Sequence, residues 1–123
     1  MERYGIVIPA EGDAILLRCW PGEGFSLKDL QDMVEGPIEV VPTALAKGWA
    51  REPDNVSVVM VINEEGKLQN LPVNEDATDL PTILYDQIVG NAILLLARGE
   101  ELIGLKEEAA ENIMRKWGLV KED

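Results

Sequence analysis

Apolar residues fall along this chain in short blocks whose spacing changes from block to block. Residues 56–62, Val-Ser-Val-Val-Met-Val-Ile, are almost continuously apolar and mostly β-branched, the pattern of a strand covered on both faces. The run Tyr4–Ile8 and the apolar stretch 14–19 flank the polar residues Pro9-Ala10-Glu11-Gly12-Asp13, which predicts a hairpin. Residues 38–41 read as a third strand closed by Pro42. Residues 88–98 read as the last strand, with Gly90-Asn91 marking a bulge or the close approach of another backbone.

Between these blocks the period lengthens to three and four. Ser26 precedes Leu27, Leu30, Met33 and Val34, and a hydroxyl ahead of that spacing caps a helix over about 26–35. Gly36 is the expected left-handed cap, and Pro37 stops any continuation. Asn74 caps a short helix over about 75–79, with Glu75 and Asp76 against its positive end. Leu105, Ala109, Ala110, Ile113, Met114 and Trp117 predict a terminal helix over about 105–117. Glu107 and Glu108 at its start, Arg115 and Lys116 at its end and Gly118 beyond favour that placement. Asn63-Glu64-Glu65-Gly66 is a turn in which Gly66 takes a positive φ, followed by a short return strand at Lys67-Leu68-Gln69.

The order of elements predicts an α+β fold in one domain over 1–123: a largely antiparallel sheet of four to five strands, two main helices and one short helix. Several strands are apolar on both sides, whereas helices gathered on one face leave the other bare. The segment 43–55 or a second copy of the chain is then the expected cover.

Charge and composition narrow the chemistry. The chain has 123 residues, 23 acidic and 11 basic side chains, a formal charge of −12, one cysteine and no histidine. So negative a surface repels nucleic-acid phosphates, which argues against direct nucleic-acid binding. The single Cys19 implies no disulfide framework, the start of the chain lacks a secretory pattern, and no apolar run is long enough to span a bilayer. The cytoplasm is the expected compartment, with no membrane partner.

Without imidazole, a Cys-His or Ser-His arrangement cannot be built, so Cys19 reads as a buried thiol and Ser26 as a helix cap. No glycine-rich phosphate cradle follows a strand, and no cofactor or resident metal is implied. A carboxylate site for magnesium at Glu64, Glu65, Asp76 and Asp79 would suit a hard ion, although turn and cap chemistry accounts for the same residues. If the strands fold back, the 63–67 turn and the 71–78 segment meet in a polar patch of Asn63, Glu64, Glu65, Lys67, Asn74, Asp76 and Thr78. Trp49 beside Arg51, in the least regular segment, is the expected partner contact.

Several short strings stand here in a particular order: 30–39, Leu-Gln-Asp-Met-Val-Glu-Gly-Pro-Ile-Glu; Asn63-Glu64-Glu65-Gly66-Lys67; Leu71-Pro72-Val73-Asn74; Ala77-Thr78; and 86–92, Asp-Gln-Ile-Val-Gly-Asn-Ala. Over roughly Leu27 to Leu96 the chain resembles a family known only as a domain of unknown function, encoded by phages, plasmids and other mobile elements of bacteria. Glu35 and Pro37 stand where that resemblance would place a glycine and an aromatic residue. It implies a genomic setting and brings no catalytic residues with it.

The expectation from these residues is a non-catalytic accessory protein that binds another protein, of the host or of the mobile element, or assembles with itself as a homodimer. A DNA mimic that occupies a restriction or defence enzyme is the first alternative. Against it, duplex DNA carries a charge about every 1.7 Å, and this chain intersperses its acids with basic residues. Carboxylate-based magnesium chemistry is the second alternative.

Overall fold

A computed structural model describes residues 2–45, 56–82 and 87–119. The elements in chain order are β1 (Tyr4–Ile8), β2 (Ile15–Arg18), α1 (Leu27–Val34), β3 (Ile38–Pro42), β4 (Val56–Asn63), α2 (Glu75–Thr78), β5 (Ala92–Arg98), β6 (Glu101–Ile103) and α3 (Glu107–Lys116). This is the expected α+β class. The strands form one six-stranded sheet in the order β2-β1-β5-β4-β3, with β6 also paired to β5. Among the described residues every strand pairing is antiparallel.

The sixth strand corrects the expected count of four to five. Gly99, at φ +61, turns the chain after Arg98 so that β6 folds back on β5 with Arg98 opposite Glu101. Read as sequence, that acidic stretch passes for a connector. Conversely, residues 67–69 are not a return strand: the chain turns continuously from Glu64 to Asn70 and Asn70 takes the positive φ of 54°. The last long strand is also shorter than its apolar run, because Val89 bridges Val73 and Gly90 breaks the path at φ +77 before β5 begins at Ala92.

Strand parity divides the core into two layers. Even-numbered side chains of the central strands, among them Ile6, Ile8, Val58, Met60, Leu94 and Leu96, pack with Ala77 and Leu80 around α2 and with Ala109, Ala110 and Ile113 of α3. Odd-numbered Val61, Ile93 and Leu95 pack with Leu30 and Val34 of α1. The two main helices therefore cover opposite faces, which corrects the premise that they share one. Leu45 supplies part of the even-side cover. Residues 46–55, including the expected contact pair Trp49 and Arg51, lie outside the described residues.

Local chemistry explains the helix ends. The Ser26 side chain accepts from the Asp29 N–H at 3.0 Å, as a cap should. At the other end the left-handed residue is Glu35, at φ 67 and ψ 34, and not Gly36. What Gly36 supplies is room, since a Cβ there would sit 2.7 Å from Nδ2 of Asn63. Gly66 likewise has no positive φ; its missing Cβ admits the Val89 side chain, 2.8 Å from where that atom would be. Pro42 does not close β3 but belongs to it, opposite Val59.

Candidate functional site

The residues expected to form a polar patch divide into two groups. Asn63 ends β4 and is buried. Its amide donates to the Val34 carbonyl at 3.0 Å and to Gln69 Oε1 at 3.2 Å, and its Oδ1 accepts the Glu65 N–H at 2.7 Å. One side chain thus joins the end of α1 to the turn after β4. Asn74, fully buried, donates to the carbonyls of Ile8 and Gly90 at 2.8 and 2.9 Å and accepts the Ala77 N–H at 3.0 Å. It caps α2 while fastening it to β1 and to the approach to β5. Thr78 exchanges hydrogen bonds with the Ile88 backbone, its Oγ1 accepting the N–H at 2.9 Å and donating to the carbonyl at 3.3 Å.

Asn91, outside the expected patch, completes this set. Its Oδ1 accepts the Ala10 N–H and its amide donates to the Met33 carbonyl, each at 3.0 Å. Three asparagines therefore tie both main-chain entries to the sheet and the carboxyl end of α1 into one frame. A buried amide left without partners costs about 1–3 kcal/mol, so satisfied amides at these positions specify a unique packing.

Glu64, Glu65 and Lys67 are exposed. Glu64 and Lys67, with Asn63, line a cleft of about 200 Å³ whose other walls include Glu39, Ile62, Gln87 and Val89. Asp76 and Thr78 are not among the lining residues. The two segments do approach each other through Val89, which bridges Val73 and packs where a Gly66 Cβ would lie. Among the described residues no group of three or more acidic or cysteine side chains is placed to hold a metal ion. Glu64, Glu65, Asp76 and Asp79 thus do not converge.

At the opposite end of the sheet lies a cluster that sequence patterning did not indicate. Arg3 is buried, donates through Nη1 to the Gly104 carbonyl at 3.3 Å, and has Nε 3.8 Å from Glu23 Oε2. Glu23 also reaches Arg98 at 4.0 Å, and Arg98 donates to Glu101 at 2.9 Å. Cys19 is buried beside them. Burial pushes its thiol up to about 11, against the opposing pull of the Arg3 charge, so it remains a thiol at neutral pH. Only the fold reveals this grouping, because its members come from three separate stretches of chain, at residue 3, 19–23 and 98–104.

Large apolar side chains are exposed mainly at the sheet margins and turns: Ile15 at 51%, Trp20 at 68%, Val40, Leu68 and Val73. Trp20 lies under the Arg18 guanidinium, 5.1 Å from ring centre to Cζ. It is the more exposed of the two tryptophans among the described residues; Trp117, expected on the apolar face of the terminal helix, is exposed as well, at 36%.

The family match extends over nearly the entire chain. The chain belongs to the family described as Domain of unknown function (DUF3846), whose model matches residues 4–118. The match reaches well beyond the resemblance over 27–96, taking in the first hairpin and α3. No curated protein and no solved structure matches the chain significantly. Among the described residues, no helix is long and apolar enough to cross a membrane.

Proposed function

We propose that this chain is a non-catalytic protein-binding module, a small acidic accessory protein of a bacterial mobile element acting in the cytoplasm. The observation that carries this reading is where the polar residues of its motifs are spent. Asn63, Asn74 and Thr78 bond to main-chain groups, and the Cys19 thiol is buried and held protonated. What remains outward is contact chemistry: Trp20, Ile15, Leu68 and Val73 on an acidic background. The mobile-element setting rests on the resemblance, and the compartment on the lone free thiol.

The test compares two variants. Trp20→Ser is expected to abolish capture of a stoichiometric protein partner, whereas Lys67→Ala in the cleft leaves it intact. A small metabolite bound at micromolar affinity through Glu64 and Lys67, with turnover lost in Lys67→Ala, would overturn the reading.

A further inference from the structure

The two ends of the sheet hold their charges differently. Near Trp20 the acids are matched: Glu2 pairs with Arg18, and Glu23 and Glu101 lie against Arg3 and Arg98. Around the cleft that Asn63 lines they are not. Residues 63–82 carry Glu64, Glu65, Glu75, Asp76 and Asp79 against Lys67 alone, and among the described residues none of these six enters an ion pair. Glu39 of β3 adds a further acid to the lining.

The lining of the cleft is part apolar and part acidic. Glu39 lies opposite Ile62 in the β3–β4 ladder, so the two side chains leave the sheet on the same face. Ile62 and Val89 are buried or half-buried walls, Glu64 and Lys67 are exposed, and Leu68, also of the lining, is 83% exposed. The Val89 wall is fixed, since Val89 bridges Val73 and Thr78 holds both main-chain groups of Ile88 beside it. At about 200 Å³ the space falls short of the about 300–1,000 Å³ of sites that enclose a cofactor or a drug-sized ligand. It matches a single long side chain.

Resting on the contact reading above, we propose that this cleft docks a basic segment of a protein partner, which inserts one arginine side chain. Ile62 and Val89 suit the methylene stem of that residue, as apolar surface does for long basic side chains. The carboxylates of Glu64 and Glu39 suit its guanidinium, whose planar fork of donors matches carboxylate geometry and sheds water more readily than an ammonium. Lys67 is the one base against these two acids, so the lining stays negative. The net charge of −12 draws such a segment from a distance, and Leu68 offers an apolar contact to the residue beside the arginine.

The probe is N-acetylarginine amide, followed by chemical shifts of the isotope-labelled full chain at about 20 mM salt, where the Debye length is about 20 Å. Saturable shifts are expected at Ile62, Gly66, Leu68 and Val89, with none at the amides of Glu108 and Glu111, exposed acids of α3. Glu64→Gln weakens binding by about threefold, and Lys67→Ala, which removes a like charge, tightens it by about as much. The lysine amide binds more weakly than the arginine amide, and the norleucine amide does not bind. No saturation at the cleft up to about 50 mM, equal shifts on α3, or indifference to Glu64→Gln would overturn the docking. Free arginine binding about tenfold tighter than the blocked amide would also overturn it, since the ligand would then be a metabolite. A silent cleft in a chain whose Trp20→Ser variant still loses its partner removes the arginine site and leaves the contact reading standing. A filled cleft with capture indifferent to Trp20→Ser keeps the arginine site and moves the contact away from Trp20.

Discussion

The Asn63 amide nitrogen lies 3.0 Å from the carbonyl oxygen of Val34, and through that single bond the last residue of α1 is held to the last residue of β4. Gly36 makes the approach possible, because a side chain on it would occupy the same space.

Asn63→Asp is expected to destabilise the protein by about 2–3 kcal/mol, since it sets an acceptor against the Val34 carbonyl and loses the donor to Gln69. Gly36→Ala should act through the same contact and, being coupled to it, should cost less in an Asn63→Ala background than in the wild type. Chemical denaturation of the two single variants and the double variant measures that coupling. Additive losses would show that Gly36 acts elsewhere.

Glu35→Gly is expected to stabilise by about 0.5–1 kcal/mol. Glu35 holds the left-handed conformation that ends α1, and glycine adopts it without the Cβ penalty. The melting temperature should rise by a few degrees. An unchanged or lowered value would mean that the Glu35 side chain makes a compensating contact.

The raised Cys19 thiol makes stability fall with alkali. A thiol near 11 in the folded chain and 9.0 when unfolded favours folding fully below pH 9, and that contribution is lost as pH climbs from 9 to about 11. Cys19→Ala is therefore expected to flatten the fall in melting temperature across this interval. Alkylation of the native protein at pH 8 should be far slower than that of the unfolded chain.

Gly104→Ala is expected to cost about 3 kcal/mol or more. A Cβ there would lie 2.7 Å from Cys19 Sγ and 2.7 Å from the Tyr4 backbone nitrogen, and the backbone cannot yield as a flexible side chain can. Equilibrium unfolding measures the loss. If Cys19→Ala relieves little of it, the Tyr4 backbone is the obstacle.

Much of the scaffold is written locally. The apolar run of β4, the Ser26 and Asn74 caps and the acid-to-base gradient along α3 each need only neighbouring residues, and each appears where those residues predict it. Features set by distant contacts were not legible. Gly36 and Gly66 look like turn glycines, yet each makes room for a side chain from another element. β6 is too short to announce itself without β5 beside it. Asn63 and Asn74 stand out in the sequence, but a sequence cannot tell an amide aimed at a ligand from one aimed at the backbone of Val34 or Ile8. The exposed Trp20 was missed because its accessibility depends on lying just past an outer strand with Arg18 above it.

The proline at the far rim of the sheet has a bearing on growth. A molecule with two receptive rims can add copies without limit and build a fibre. Here Pro42 and the neighbouring Pro81-Thr82 segment blunt one rim. With that rim closed, strand-by-strand growth through both ends of the sheet is blocked.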